Sequence, residues 1–161
     1  MSEAAARAFL RAHGLEDRIL VMEQDTATVA TAAAALGVTP GEIAKTLSFL
    51  VDGGAVLIVA EGTARIDNPK FKAAFAAKAK MIPPEQVEEL TGHAPGGVCP
   101  FGIKAGVKVY FDESLRKYNV VYPAAGSDHS AVRLTLAELE QAVKPAGWVD
   151  VSKEPQADPT A

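Results

Sequence analysis

Among 161 residues the chain has one cysteine, three histidines and no apolar run near the ~18 residues that a membrane-spanning helix needs. Each scarcity excludes something. Cys99 alone cannot form an intramolecular disulfide, and His13, His93 and His129 are too scattered for zinc-ligand spacing, so neither a metal nor another cofactor is expected. The opening stretch "MSEAAARAFLRAHG" is acidic and amphipathic rather than a signal peptide, which points to a cytoplasmic protein with no membrane partner. No internal repeat, low-complexity block or acid–base constellation stands out.

What is present fits one ordinary domain. Hydrophobic residues make up 48% and charged residues 22%, a balance that excludes disordered and fibrous classes. Residues 1–151 read as a single domain and 152–161 as a loose tail with little to bury. The net charge of −4 argues against a nonspecific nucleic-acid coat, but it hides an asymmetry. Between Ala64 and Lys80, Arg65, Lys70, Lys72, Lys78 and Lys80 face only Asp67, leaving this stretch at +4 and the remainder at −8. That is a candidate basic patch for a nucleic acid; a solvated helix face explains the same run.

The punctuation of the chain sets its elements. Residues 2–13 read as an alanine-rich helix capped by Ser2 and stopped by Gly14, "RILVME" as a strand, and "TVATAAAALGV" as a helix ending at Gly37. "TPGE" predicts a very short capped helix, with Thr39 as cap and Glu42 three residues on. Lys45–Val51 and Ala55–Ala60 flank "DGG", a strong hairpin signal. "NPKFKAAFAAKA" and "PPEQVEELTG" predict two helices, and residues 91–106, with five glycines and two prolines, predict a loop. "VKVYF", a helical turn or two in "DESLRKY", strands "NVVYPA" and "SAVRLT" and a helix "LAELEQAVK" complete the order. The expected fold is α/β of the α+β type: a curved mixed β-sheet or partial barrel surrounded by helices.

Three segments carry chemistry. In "GEIAKTLSFLV", Lys45 falls on the same strand face as Leu47, Phe49 and Val51, and a cation there either snorkels from the strand end or awaits an anionic ligand. "GHAPGGVCPFG" spends Gly96, Gly97 and Gly102 on one proline-stiffened loop, where main-chain N–H groups can approach a carbonyl or oxyanion. "YPAAGSDHSAVRL" interrupts a strand pair at Gly126 and clusters Ser127, Asp128 and His129 at the bend.

In this order, "IAKTLSF", a hairpin, a basic helix, "GGVCPFG" and "AAGSDHSAVRLT", the chain resembles the YbaK family of freestanding aminoacyl-tRNA deacylases, relatives of the INS-like editing domain of bacterial prolyl-tRNA synthetases. The resemblance spans roughly residues 20–145. It implies hydrolysis of the ester joining a wrong, small amino acid to the acceptor end of a tRNA, most often the tRNA for proline, with prolyl-tRNA synthetase or another synthetase as a candidate partner. It implies that Lys45 meets a phosphate, that its apolar neighbours wall the amino-acid pocket, and that Gly96, Gly97 and Val98 offer main-chain donors to the carbonyl. Thr46, Pro100, Phe101, Gly102, Gly126, Ser127, Asp128 and His129 would then contact substrate, with Arg65, Lys70, Lys72, Lys78 and Lys80 gripping tRNA. Asp128 is a candidate for the α-ammonium and His129 for the ribose, while the "SDHSA" bend leaves the amino acid open.

Two rivals remain. Cys99 could act as a covalent nucleophile with His93 or His129 as base. Alternatively, the chain holds tRNA or a synthetase without doing chemistry, which the missing acid–base pair and the basic helix would suit.

Overall fold

Helix α1 (Ser2–Ala12) buries Ala6 and Leu10, four apart on one face, and the chain leaves it where Gly14 turns left-handed at φ 71°. The computed structural model describes residues 2–153; the side chain of Ser2, expected as a cap, lies outside the described residues, as do positions 154–161 of the expected tail. Strand β1 (Ile19–Val21) follows, then α2 (Val29–Leu36), stopped by left-handed Gly37 as the sequence predicts and capped by Thr28, which the sequence reading did not single out. The "TPGE" cap forms around a 3₁₀ turn, with Thr39 N donating to Glu42 Oε1 at 2.9 Å.

That turn feeds β2 (Ile43–Val51), which pairs antiparallel with β3 (Gly54–Glu61) across Asp52 and Gly53, both with positive φ. These are the conformations a two-residue turn needs to match strand twist. In β3, Leu57 and Val59 pack into one apolar cluster and Val56 and Ile58 into another, which explains the unbroken apolar run: this strand is buried on both faces.

After β4 (Arg65–Ile66) come α3 (Asn68–Phe75), α4 (Pro84–Thr91), β5 (Lys108–Asp112), a 3₁₀ turn at Glu113–Lys117, and β6 (Val120–Pro123). The single strand expected at 130–135 is two short ones, β7 (Ser130–Val132) and β8 (Leu134–Thr135), which pair with β1 and β6 respectively. Helix α5 (Leu136–Val143), β9 (Gly147–Val149) and β10 (Ser152–Lys153) close the described chain. The main sheet runs β8-β6-β2-β3-β5-β9, mixed in direction and curled into a half-barrel with helices outside it, as expected.

Two expectations need correction. Helix α3 stops at Phe75, where Ala76 adopts a left-handed conformation, so Lys78 and Lys80 lie beyond the helix assigned to them. Ser152 and Lys153, assigned to a loose tail, pair with Ile66 and Arg65. The physical cause is Asp112, fully buried, whose carboxylate accepts from Ser114 N (3.0 Å), Val151 N (2.9 Å) and Ser152 Oγ (2.6 Å). Asp112→Ala removes the acceptor from three donors, at a cost of about 3 kcal/mol. The expected result is a fall of roughly 6–12 °C in Tm by thermal unfolding, with the C-terminal strands losing amide-exchange protection first.

Candidate active site

The free edge of β2 is shared by two neighbours that meet it at opposite ends. Strand β6 runs parallel to it only at Ile43 and Ala44, after which Ala124 turns away to bridge Ala131. At the other end Ile82 N donates to Ser48 O (3.1 Å) and Leu50 N donates to Lys80 O (2.9 Å). By the alternation of strand hydrogen bonding, the outward N–H and C=O of Thr46 fall in the gap between them.

A cleft of about 260 Å³ opens over that gap. It is lined by Lys45, Thr46 and Ser48 of β2, by Ile82 and Val87, by Tyr122 and Ser130, and by Thr26, Ala27, Thr28, Pro95, Gly96 and Val98 of two loops. The Oγ1 atoms of Thr26 and Thr46, two residues of the lining, are both buried without a hydrogen-bond partner, the kind of unsatisfied group that calls for an explanation.

Lys45 sits at the end of the apolar row predicted for it. Leu47, Phe49 and Val51 pack beneath α3 with Phe71 and do not line the cleft. The amino-acid pocket is therefore not walled by these neighbours: alternate strand positions point to opposite faces, and the pocket takes Thr46 and Ser48. The ammonium is half-buried and donates to the carbonyl of Ala64. Burial pushes its pKa below the usual lysine range; Glu61 opposes that shift and Arg65 adds to it.

The glycine-rich loop divides. Gly96, at φ 90°, and Val98 line the cleft. Gly97 is absent from it: its N–H donates to Ala94 O (3.0 Å), and a Cβ there would lie 2.7 Å from the main-chain carbon of Gly126. Two loops thus touch main chain to main chain, so the glycine serves protein contact and its N–H is not free for substrate. Pro100, Phe101 and Gly102 also miss the cleft. Phe101 is fully buried in the core, and a Cβ at Gly102 would come within 2.4 Å of Ala5 O, so this half of the loop seats α1.

The bend after Gly126 (φ 89°) acts as a clasp. The carbonyls of Asp128 and His129 accept from Thr26 N (2.6 Å) and Met22 N (2.7 Å), holding the loop that overhangs the cleft. Ser127 Oγ lies 2.8 Å from Ser130 Oγ, which places it behind a cleft residue. Asp128 and His129 are exposed, paired to each other at 2.5 Å, and neither lines the cleft.

Of the basic residues, Lys70 is held by Asp150 (3.1 Å) and the Ser152 carbonyl (2.9 Å). Lys72 and Lys78 are exposed beside a second depression with Asn68 and Ala79. Arg65 and Lys80 are also exposed, and from Lys80 the chain runs straight into Met81 and Ile82 of the cleft. Sequence reasoning missed Thr26, Ser48, Ile82, Val87, Tyr122 and Ser130. Only Ser48 left a signal, by sharing a strand face with Thr46.

Residues 23–142 match the model of the aminoacyl-tRNA editing domain family. Over 155 residues the chain is 43% identical to the uncharacterized protein YwhH of Bacillus subtilis, covering 96% of this chain and 99% of that one. It is 29% identical over 113 residues to EbsC of Enterococcus faecalis, described as a candidate Cys-tRNA(Pro)/Cys-tRNA(Cys) deacylase, covering 69% of each chain. A solved structure described as a candidate trans-editing enzyme for prolyl tRNA synthetase superposes with a TM-score of 0.84 at 31% identity, covering 94% of this chain and 97% of that one.

The covalent rival fails on geometry. Cys99 Sγ does lie 3.6 Å from His93 Nε2, but both residues are fully buried and neither lines the cleft. Nε2 is 2.6 Å from the Phe101 carbonyl, which can only accept, so this nitrogen holds its proton and cannot take one from the thiol. Burial pushes the Cys99 thiol up to about 12 and the His93 imidazole down. With one cysteine in the chain, Ellman's reagent should titrate no thiol in the native protein and a single thiol after denaturation. Rapid native labelling would reopen the nucleophile assignment.

Proposed function

The chain belongs to the aminoacyl-tRNA editing domain family and is an aminoacyl-tRNA deacylase; from that premise we propose that it acts in trans on tRNA for proline, removing a small, wrongly attached amino acid. The observation that carries the reading is the single cleft that joins Lys45 to Gly96 and Val98. Its lining is mostly apolar and includes one lysine and two residues of the glycine-rich loop, whose main chain can supply donors. Prolyl-tRNA specificity draws its support from the relatives, described in terms of Cys-tRNA(Pro) and prolyl tRNA synthetase.

An aminoacyl ester is already activated, so a hydrolase has to position water and stabilise the charge that grows on the carbonyl oxygen. Lys45 binds a phosphate at the acceptor end, exchanging its Ala64 contact for an anion. The N–H groups of Gly96 and Val98 hold the ester carbonyl, and the Thr26 and Thr46 hydroxyls accept or donate to the aminoacyl group. Water adds to the carbonyl carbon, assisted by the terminal ribose hydroxyl, and collapse of the tetrahedral species releases the free amino acid and the tRNA hydroxyl. Exposed Lys72, Lys78, Lys80 and Arg65 steer the acceptor stem toward the cleft, with a synthetase as the partner that supplies mischarged tRNA in the cytoplasm.

The test is a panel of proline tRNA charged separately with alanine, cysteine, serine, threonine and 2-aminobutyrate, scored for ester loss. Hydrolysis of at least one small ester, with correctly charged prolyl-tRNA spared, is expected; inertness toward all of them supports the binding-module rival. Lys45→Ala should lower kcat/KM about 100-fold without unfolding the protein. Lys72→Glu with Lys78→Glu should weaken tRNA binding at low salt and flatten the salt dependence by about 0.7–0.9 in log–log slope per lost phosphate contact. An unchanged slope would remove these lysines from the interface.

A further inference from the structure

Glu61 ends β3 with a side chain only 4% exposed, and a buried carboxylate is costly unless it is paired and hydrogen-bonded. Its partners are specific. Lys117 Nζ lies 2.5 Å from Oε2, Tyr118 Oη donates to Oε1 at 2.9 Å, and Thr63 Oγ1 donates to the same oxygen at 3.1 Å. The main chain is pinned as well: Glu61 N donates to Ser114 Oγ at 3.1 Å, and Ala64 N donates to Glu61 O at 3.1 Å, closing a four-residue turn.

The far end of that turn touches the site, because the Ala64 carbonyl accepts from Lys45 Nζ. Neighbouring segments press on it where two glycines leave room. A Cβ at Gly41 would lie 2.0 Å from Tyr118 Oη, and one at Gly62 would lie 2.1 Å from Pro40 O. The Pro40–Glu42 turn that launches β2, the 61–64 turn and the 114–118 segment are therefore locked together around one carboxylate.

We propose that Glu61 is a positioning residue of the active site: through the 61–64 turn it fixes the carbonyl that orients Lys45, and its charge balances that ammonium until a substrate phosphate arrives. The inference rests on the proposed role of Lys45. The charged groups whose fields reach Lys45 are Glu61 from β3 and Arg65 from β4. Lys117 faces Glu61 itself, and Glu42 faces Tyr118. Glu61 favours the charged form of Lys45, whereas burial and Arg65 oppose it. Removing the carboxylate therefore lowers the Lys45 pKa. Activity that needs the ammonium is then lost at lower pH as pH rises. Removing Lys117 leaves the carboxylate uncompensated and acts in the opposite direction.

The experiment is a lysine side-chain NMR titration, with the Lys45 signal assigned by its loss in Lys45→Ala, run on the parent, Glu61→Gln and Lys117→Met. Glu61→Gln keeps an acceptor for Tyr118 while removing the charge, and Lys117→Met changes an outer residue that is 47% exposed, so at least one variant should fold. The expected result is a Lys45 titration displaced to lower pH in Glu61→Gln and to higher pH in Lys117→Met. The alkaline limb of deacylation should move with it, and KM should rise several-fold in Glu61→Gln in mildly alkaline buffer. A Lys45 titration that stays fixed in every folded variant overturns the inference. Because it is read without substrate, that outcome is distinct from a failed deacylation panel.

Discussion

The site depends on an unfinished strand pairing. β2 pairs with β3 from Ala44 to Val51, but on the other edge β6 leaves it after Ala44 and the 80–82 segment joins it at Ser48 and Leu50. Three residues of main chain between those contacts, Lys45, Thr46 and Leu47, are enough to open a cleft. A completed ladder would close it, since strands sit ~4.8 Å apart and leave no room for a ligand between them. What holds the gap open is the divergence of Ala124 toward Ala131 on one side and the proline pair Pro83–Pro84 on the other. Proline 84 starts α4 rather than extending the ladder, because it has no N–H to contribute.

The loops over the cleft are held to each other main chain to main chain. Gly97 against Gly126, and Thr26 and Met22 against the carbonyls of Asp128 and His129, form a main-chain clasp. A rigid clasp suits catalysis by alignment, in which donors must already be aimed when the ester arrives. It also separates two roles that glycine can play. Gly96 lines the cavity, whereas Gly97 is excluded from it by its neighbours and serves the scaffold.

The sequence spoke clearly where a single local rule decides the outcome. The hairpin followed from Asp52-Gly53, the α2 stop from Gly37 and the short capped turn from Thr39 and Glu42, all contacts within a few residues. It spoke poorly where the deciding partner is distant. Phe101 and Gly102 sit in a ligand-like motif but belong to the core and to α1, and only the fold brings Ala5 against them. Ala76 ends α3 in a left-handed conformation without the glycine that would announce it. The C-terminal strands look like tail because their anchor, Asp112, lies 39 residues away from Val151. For the cleft, Lys45 and Gly96 stood out as strand and loop chemistry and Thr46 and Val98 came with the family resemblance, while Thr26, Ile82, Tyr122 and Ser130 come from four separate segments with no motif of their own.

The contrast between the two buried ionisable clusters shows what burial alone does. Cys99 and His93 are close enough to interact, yet desolvation raises the thiol and lowers the imidazole, so both favour their neutral forms and the pair is inert. Lys45 is only half-buried and lines an open cleft; burial lowers its pKa, and the charge of Glu61 opposes that shift. An ammonium in that state binds a phosphate more strongly than one in open water, because less hydration has to be stripped away when the anion arrives. The difference between this inert pair and a lysine open to a ligand thus follows from depth, access and counter-charge together.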